Sequence, residues 1–227
     1  MMELGGPWRV AEADDDIRRD GIGLDTDDSG WASIEVPGHW QDHPDLVDSQ
    51  GPVMYRRRFT AGEPDEGRRR WVTLDGVCYQ ADVWLDGAYL GDPEGYFFPH
   101  TFEITPLVGI GTEHVLAVEV ACAPQQSASG RRNLTGAYQP PLDVDDPQDA
   151  APEGVRLTNP GGLWRPVLTF DTGAVRIDRL RVLCRDADER RAHLRLAARL
   201  DTDRDTDVSV RTLLDGIQPL EKISFSC

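Results

Sequence analysis

The chain of 227 residues is long enough for one large domain and part of a second, since a domain takes about 150 residues. Its formal net charge of −16 argues against nucleic acid and anionic membrane surfaces as partners, because their phosphate groups would repel it. A hydrophobic content of 39% with six tryptophans supports a folded core and excludes global disorder. The basic residues are almost all arginine, with Lys222 the one lysine, and this bias indicates a high-GC genome, either salt-adapted or ordinary.

Apolar and polar residues alternate with a period of two along most of the chain, which predicts β-strands. Asp75-Gly76 and Asp86-Gly87 predict tight turns between strands, because both residue types tolerate positive φ. Residues 12–30 and 123–159 are polar and predicted to be loops, and a loop as long as the second is usually functional or mobile. No helical pattern of ten or more residues is present. The predicted strands of the first part lie at residues 8–10, 31–40, 53–60, 70–75, 82–85, 115–121 and 165–171.

After Thr172 the pattern changes. Residues 175–185, 192–200 and 208–214 alternate, with Asp-rich turns between them, which is typical of an immunoglobulin-like sandwich. Such a sandwich needs about seven strands in roughly 100 residues. The sequence therefore predicts two domains, residues 1–172 and an incomplete sandwich at residues 173–227. The different composition of the last residues is consistent with a truncated or frame-shifted gene end, or with a natural short strand.

The cysteines and the first residues bear on the cellular compartment. None of the cysteines forms a C-x-x-C pair, so reduced core thiols are favoured over disulfides. Residues 1–20 contain no apolar run typical of a signal peptide, and no stretch is long and apolar enough to span a membrane. These features predict a cytoplasmic protein. The four cysteines are Cys78, Cys122, Cys184 and Cys227.

Six segments occur in a fixed order over about three quarters of the chain. They are V-P-G-H-W at 36–40, G-P-V-M-Y-R-R-R-F at 51–59, the W-V-T-L-D-G to Y-L-G stretch at 71–91, G-Y-F-F-P-H-T-F-E-I-T at 95–105, H-V-L-A-V-E-V at 114–120 and G-G-L-W-R-P-V at 161–167. Together they resemble the amino-terminal sugar-binding domain of glycoside hydrolase family 2, which includes bacterial β-galactosidases, β-glucuronidases and β-mannosidases.

The resemblance implies a jelly-roll β-sandwich of the galactose-binding-domain type, followed by the immunoglobulin-like sandwich. It also implies that two catalytic glutamates lie on a TIM barrel after these sandwiches, since retaining glycosidases need two carboxylates about 5–5.5 Å apart. The chain ends before such a barrel, so we name no catalytic residue and expect no cofactor. The implied function is the non-catalytic amino-terminal portion of a glycoside hydrolase that cleaves O-glycosyl bonds in carbohydrate metabolism.

The turn at Asp86 bears on sugar contact through the same resemblance. In the β-galactosidase branch, the Asn of a W-x-N-G turn reaches the sugar pocket, and Asp86 takes that position here, which makes it a substrate-binding candidate. A purely structural role stays open, because Asp in such a turn bonds its own backbone. The branch also has an Asp where this chain has Arg156. Both departures weaken the case for a lactose-type enzyme.

Two tryptophans are the other substrate-binding candidates. Trp40 and Trp164 are candidates for half-exposed rings that stack on sugars, since aromatic faces suit the apolar faces of sugars, but burial in the core is favoured for both. Trp84 is predicted to be core by its alternation. His39 and His43 lie on a Pro-flanked loop without the Glu and helix of a zincin motif, so we predict no metal site.

Three functions therefore remain open for the chain. It is a portion of a larger glycosidase that meets a β-glycoside, a stand-alone carbohydrate-binding module, or a structural and oligomerisation unit without sugar contact. An incomplete second sandwich also predicts self-association through an uncovered apolar face and unpaired strand edges. We expect this association to strengthen with salt, which screens the negative charge.

Overall fold

The computed structural model describes residues 1–49, 51–109, 112–122, 161–214 and 217–226. The predicted all-β class is confirmed, because antiparallel strands make up most of these residues. The predicted loop at 123–159, with Arg156, lies outside the described residues, as does Cys227. The strands are β1 (Met2–Glu3), β2 (Gly6–Glu12), β3 (Ala32–Val36), β4 (Val53–Ala61), β5 (Arg69–Leu74), β6 (Gln80–Leu85), β7 (Ala88–Gly91), β8 (His100–Glu103), β9 (Thr112–Ala121), β10 (Val167–Thr172), β11 (Val175–Ala187), β12 (Ala192–Thr202), β13 (Asp207–Leu214) and β14 (Ile217–Ser226).

Two sheets form the sandwich of the first part of the chain. One has six strands in the order β3-β2-β4-β9-β6-β7, and the other has four in the order β1-β10-β5-β8. Alternate residues of both sheets point into one core, where residues such as Tyr55 and Val118 of the first sheet and Leu74 and Val167 of the second are fully buried. This arrangement matches the expected jelly-roll β-sandwich.

The two Asp-Gly dipeptides have different outcomes. Asp86 and Gly87 adopt φ of 51° and 85° and join β6 to β7 in a tight hairpin, as predicted. The tight hairpin predicted at Asp75-Gly76 is wrong, because β5 and β6 belong to different sheets. Gly76 instead lies against Trp164, where an added Cβ would stand 2.6 Å from the indole nitrogen Nε1. The glycine is needed for this close approach.

A short helix, α1 (Asp15–Asp20), lies within the segment predicted to be a loop at residues 12–30. The Asp14 side chain caps it by accepting a hydrogen bond from the Ile17 N–H at 2.8 Å. Ile17 then packs on the outer face of the six-stranded sheet, in a small apolar cluster with Met54 and Trp84. The prediction missed α1 because six residues are too few to show a helical period.

The chain divides into two compact units, residues 1–64 with 70–171 and residues 65–69 with 172–227. The second unit contains two antiparallel hairpins, β11–β12 and β13–β14. Strands β11, β12 and β13 lie on the segments that the alternation predicted, whereas β14 was not predicted by alternation and lies on the final segment, for which a natural short strand was the alternative to a truncated gene end. The domain limits 1–172 and 173–227 remain predictions. No helix among the described residues is long and apolar enough to cross a membrane.

Candidate functional site

A cluster of aromatic rings surrounds the half-buried Trp164. Its ring stacks on Tyr96 at a centroid distance of 4.4 Å and meets Phe97 edge-on at 5.9 Å. The His39 ring lies parallel to it at 6.4 Å, and the Arg165 guanidinium stands 5.0 Å from its centroid. We call His39, Tyr96, Phe97 and Trp164 the aromatic cluster.

Backbone contacts between distant segments position these rings. The indole N–H of Trp164 donates to the Tyr96 carbonyl at 2.9 Å, which ties the segment after Gly162 to the loop after Gly95. The Gly38 N–H donates to the Leu163 carbonyl at 2.9 Å and so brings His39 alongside. Glycine residues in these three loops allow the loops to approach one another closely, because glycine has no Cβ.

Two phenylalanines beside Tyr96 are open to solvent. Phe97 is 47% exposed and Phe98 is 71% exposed, whereas Tyr96 is buried beneath them. Exposed aromatic faces on a fixed loop are suited to stacking on the apolar faces of a sugar ring. The sequence analysis quoted this Y-F-F-P run as a family motif but did not name it as a candidate site. Three consecutive aromatic residues before a proline were the signal that could have identified it.

Trp40 lies in the core, which was the favoured alternative, and lacks the half-exposed ring of a sugar-stacking residue. It is fully buried, and an added Cβ at Gly161 would lie only 1.9 Å from its Cη2 atom. The Gly51 backbone packs against the same ring, where an added Cβ would stand 2.8 Å away. A buried ring offers no free face to a sugar, so the stacking role remains a prediction for Trp164 alone.

Asp86 uses both carboxylate oxygens within the domain. Oδ1 accepts a hydrogen bond from the Val115 N–H at 2.7 Å, and Oδ2 lies 2.6 Å from Nδ1 of the buried His114. An ionised carboxylate only accepts, so Nδ1 of His114 carries the proton. The hairpin is thereby tied to the start of β9, which favours the structural role. Sugar contact by Asp86 remains a prediction, and nothing in the sequence pointed to His114 as its partner.

Two tyrosines, one buried and one exposed, have pKa values that their surroundings raise. Burial raises the pKa of Tyr55, whose hydroxyl has no hydrogen-bond partner among the described residues. A hydrogen bond that Tyr89 donates to Asp82 at 2.8 Å raises the pKa of Tyr89 to about 12. Within the described ranges no group of three or more His, Cys, Asp or Glu side chains could hold a metal ion.

Comparison with known proteins identifies the class of this domain. The model of the family described as glycosyl hydrolase 2 galactose-binding domain-like matches residues 39–157. This match covers more than half of the 227 residues, and the chain belongs to that family.

Individual relatives are much longer than this chain. It is 30% identical over 109 residues to a β-glucuronidase of Formosa agariphila, covering 43% of this chain and 11% of the relative. It is 30% identical over 135 residues to a β-galactosidase of Vibrio cholerae, covering 51% of this chain and 13% of the relative. The crystal structure of a Bacteroides uniformis β-glucuronidase matches the whole chain with a TM-score of 0.68 at 19% identity, over 25% of its own length. The chain therefore spans about an eighth of the two sequence relatives and a quarter of the structural one, and the structural likeness shows the fold.

Proposed function

We propose that the chain acts as the amino-terminal, non-catalytic portion of a glycoside hydrolase and shapes the rim of its substrate site. The proposal rests on the family match together with the small share, 11–13%, of the first two relatives that the chain covers. The catalytic carboxylates then lie outside this chain, as the resemblance implies. A β-glycoside is the proposed substrate class of the whole enzyme.

The aromatic cluster supports a rim role. Phe97 and Phe98 present exposed rings, and the stacked pair of Tyr96 and Trp164 holds their loop in place. A rim of this kind contributes apolar contact to a bound sugar, while a separate part of the enzyme supplies the hydrogen bonds and the chemistry. Trp164 is the residue through which the cluster connects to the segment after Gly161.

Binding and turnover experiments separate this function from a stand-alone binding module. A rim is incomplete alone, so we expect the isolated chain to show no saturable change in tryptophan fluorescence with galactosides, glucuronides or mannosides. Saturable binding that Phe98→Ala removes would favour the module instead. We also expect no hydrolysis of a chromogenic β-glycoside, because both catalytic carboxylates must flank one bond. Turnover abolished by mutating a carboxylate of this chain would overturn the proposal.

The genomic sequence downstream of this chain tests the parent enzyme directly. A continuous reading frame encoding a barrel with two suitably placed glutamates is the expected result. A stop codon directly after the chain in its native genome would favour the binding module or the structural unit. A cytoplasmic location remains a prediction, to be checked by fractionation of the native cells.

Self-association is a second candidate property, favoured by hairpin β11–β12. The strand register places Val182 opposite Leu196 and Leu180 opposite Ala198 on one face. On that face Val182 and Leu180 are 55% and 57% exposed, and Leu196 is 43% exposed. Contiguous exposed apolar surface of this kind favours association with another chain. We propose that this face pairs with a second copy when salt screens the net charge.

A further inference from the structure

Strands β2 and β4 pair over only part of their length. Their register begins with Arg9 opposite Arg56 and ends with Glu12 opposite Val53. Before Arg9, β2 stays paired with β3, and after Arg56, β4 stays paired with β9. Pro7 lies in the part of β2 that is paired with β3 but not with β4, and it has no N–H to donate to a neighbouring strand. An open cavity of about 380 Å³ lies at this point of the sheet.

Four arginines line this cavity, which we call the arginine cavity, together with Pro7, Trp8, Asp28 and Ser33. Two of them have carboxylate partners. Arg56 Nε lies 2.9 Å from Asp28, and Arg58 Nη1 lies 3.2 Å from Glu113. The other two arginines of the cavity, Arg9 and Arg57, take no part in these ion pairs.

Arg9 and Arg57 have no carboxylate partner among the residues that the structure describes. Arg9 Nη1 donates to the Trp31 carbonyl at 3.1 Å, and Arg57 Nη1 donates to the Pro7 carbonyl. Asp28 lines the cavity but pairs with Arg56, so two of the four guanidinium groups there have no described carboxylate that pairs with them. They make the cavity locally positive, which favours an anionic ligand.

Arg57 also carries an unused donor. Its Nε is buried and has no hydrogen-bond partner within the described part of the chain. Because Nε is buried, an oxyanion in the cavity would reach only the Nη groups of Arg57 and would accept charge-assisted hydrogen bonds from them. A guanidinium can bind such an anion through two parallel N–H groups, which suits carboxylate, sulfate and phosphate alike.

Arg56 makes one wall of the cavity rigid. Its side chain is fully buried and donates to the carbonyls of Gly21 and Gly23 as well as to Asp28. The loop after α1 is thereby fixed beside the arginines before any ligand arrives. A volume of about 380 Å³ lies within the range of small-molecule sites and accommodates an inorganic oxyanion or one acidic sugar.

We propose that the arginine cavity binds a small oxyanion through Arg57 and Arg9. The shared chemistry is a carboxylate, sulfate or phosphate group, supplied either by a free inorganic ion or by an acidic sugar. This site is separate from the aromatic cluster and does not depend on the function proposed above.

Isothermal titration calorimetry on the whole chain tests the site, with sodium sulfate, sodium phosphate and sodium glucuronate as probes at constant ionic strength. Glucose is the uncharged control. We expect one-to-one saturable binding of at least one oxyanion and none of glucose. Saturation by glucuronate alone identifies an acidic sugar as the ligand class, and saturation by sulfate or phosphate identifies an inorganic ion.

Variants assign the binding to the cavity. Arg57→Gln should weaken binding about tenfold, the effect of losing one charge-assisted contact. Arg9→Gln should also weaken binding. Because Arg9 is exposed, this variant keeps the fold intact and so serves as the test if Arg57→Gln does not fold. Arg19→Gln on α1 removes the same charge outside the cavity and should not weaken binding. The absence of saturable binding by all three probes, or equal weakening by Arg19→Gln and Arg9→Gln, would overturn the proposal.

Discussion

Replacing Gly161 by alanine should destabilise the first unit strongly, because the new methyl group would collide with Trp40. The added Cβ would lie 1.9, 2.2 and 2.2 Å from three atoms of the indole ring. Ordinary van der Waals contact begins at 3.4 Å, so each of the three overlaps exceeds 1 Å. Trp40 is 0% exposed, so its ring cannot turn away from the methyl group without disturbing the core around it.

The expected cost follows from the close packing of protein interiors. Overpacking a core costs about 1–3 kcal/mol, and three simultaneous overlaps with a rigid ring place this substitution near 3 kcal/mol. Such a loss is a large fraction of a typical domain stability of about 5–15 kcal/mol. With a urea m-value of about 2 kcal/mol per M, the unfolding midpoint should fall by about 1.5 M.

Urea unfolding followed by tryptophan fluorescence measures this effect, with Gly30→Ala as the matched control. An added Cβ at Gly30 has no atom within 4 Å, so that variant should unfold close to the wild-type midpoint. A double-mutant cycle with Trp40→Leu isolates the collision, because the smaller side chain makes room for the methyl group. A collision with Trp40 is ruled out if Gly161→Ala and Gly30→Ala unfold at the same urea concentration, or if Trp40→Leu does not reduce the loss of stability caused by Gly161→Ala.

Three further predictions concern the hairpins. Asp86→Ala should lower the free energy of unfolding by about 2–3 kcal/mol, since it removes two hydrogen bonds and places alanine at a φ of 51°. Urea unfolding measures this loss. Asp86→Asn should lower the free energy of unfolding less, because asparagine tolerates that φ. Asp82→Asn should lower the pKa of Tyr89 from about 12 towards 10.0, seen as earlier ionisation at 295 nm, and an unchanged titration would contradict the role of the hydrogen bond. Val182→Glu should reduce the increase in light scattering as salt is added, because it places a charge on the exposed apolar face. Arg181→Glu, at the neighbouring position on the opposite face, should not reduce it. A wild-type chain that stays monomeric from low to molar salt would rule out the association.

Most strands could be predicted because alternation is a local property of the sequence. The segment 53–60 was predicted as a strand and forms β4 over Val53–Ala61, one residue longer. The pairing of strands is not local. Asp75-Gly76 has the same turn chemistry as Asp86-Gly87, yet it connects two different sheets, because Gly76 packs against Trp164 from a distant segment. Turn propensity alone could not distinguish the two dipeptides.

The candidate site was predicted less completely than the fold. Trp40 and Trp164 each lie in a glycine-containing motif, and for both rings burial was favoured over half-exposure. The backbone at Gly161 covers Trp40, whereas Trp164 stays half-buried within the aromatic cluster. Which ring is covered depends on a residue far away in the sequence. The exposed ring of Phe98 is different, because the run of three aromatic residues before Pro99 was a local signal that the prediction overlooked.

The all-β class, most of the strands and the family follow from residue patterns alone, because alternation, turn residues and ordered motifs are local features of the chain. The fold was needed to establish which strands share a sheet, which tryptophan is buried, and where β2 and β4 stop pairing to leave the arginine cavity. These features arise from packing between segments that are distant in sequence. Their energies depend on contact distances and desolvation, which local residue patterns do not encode.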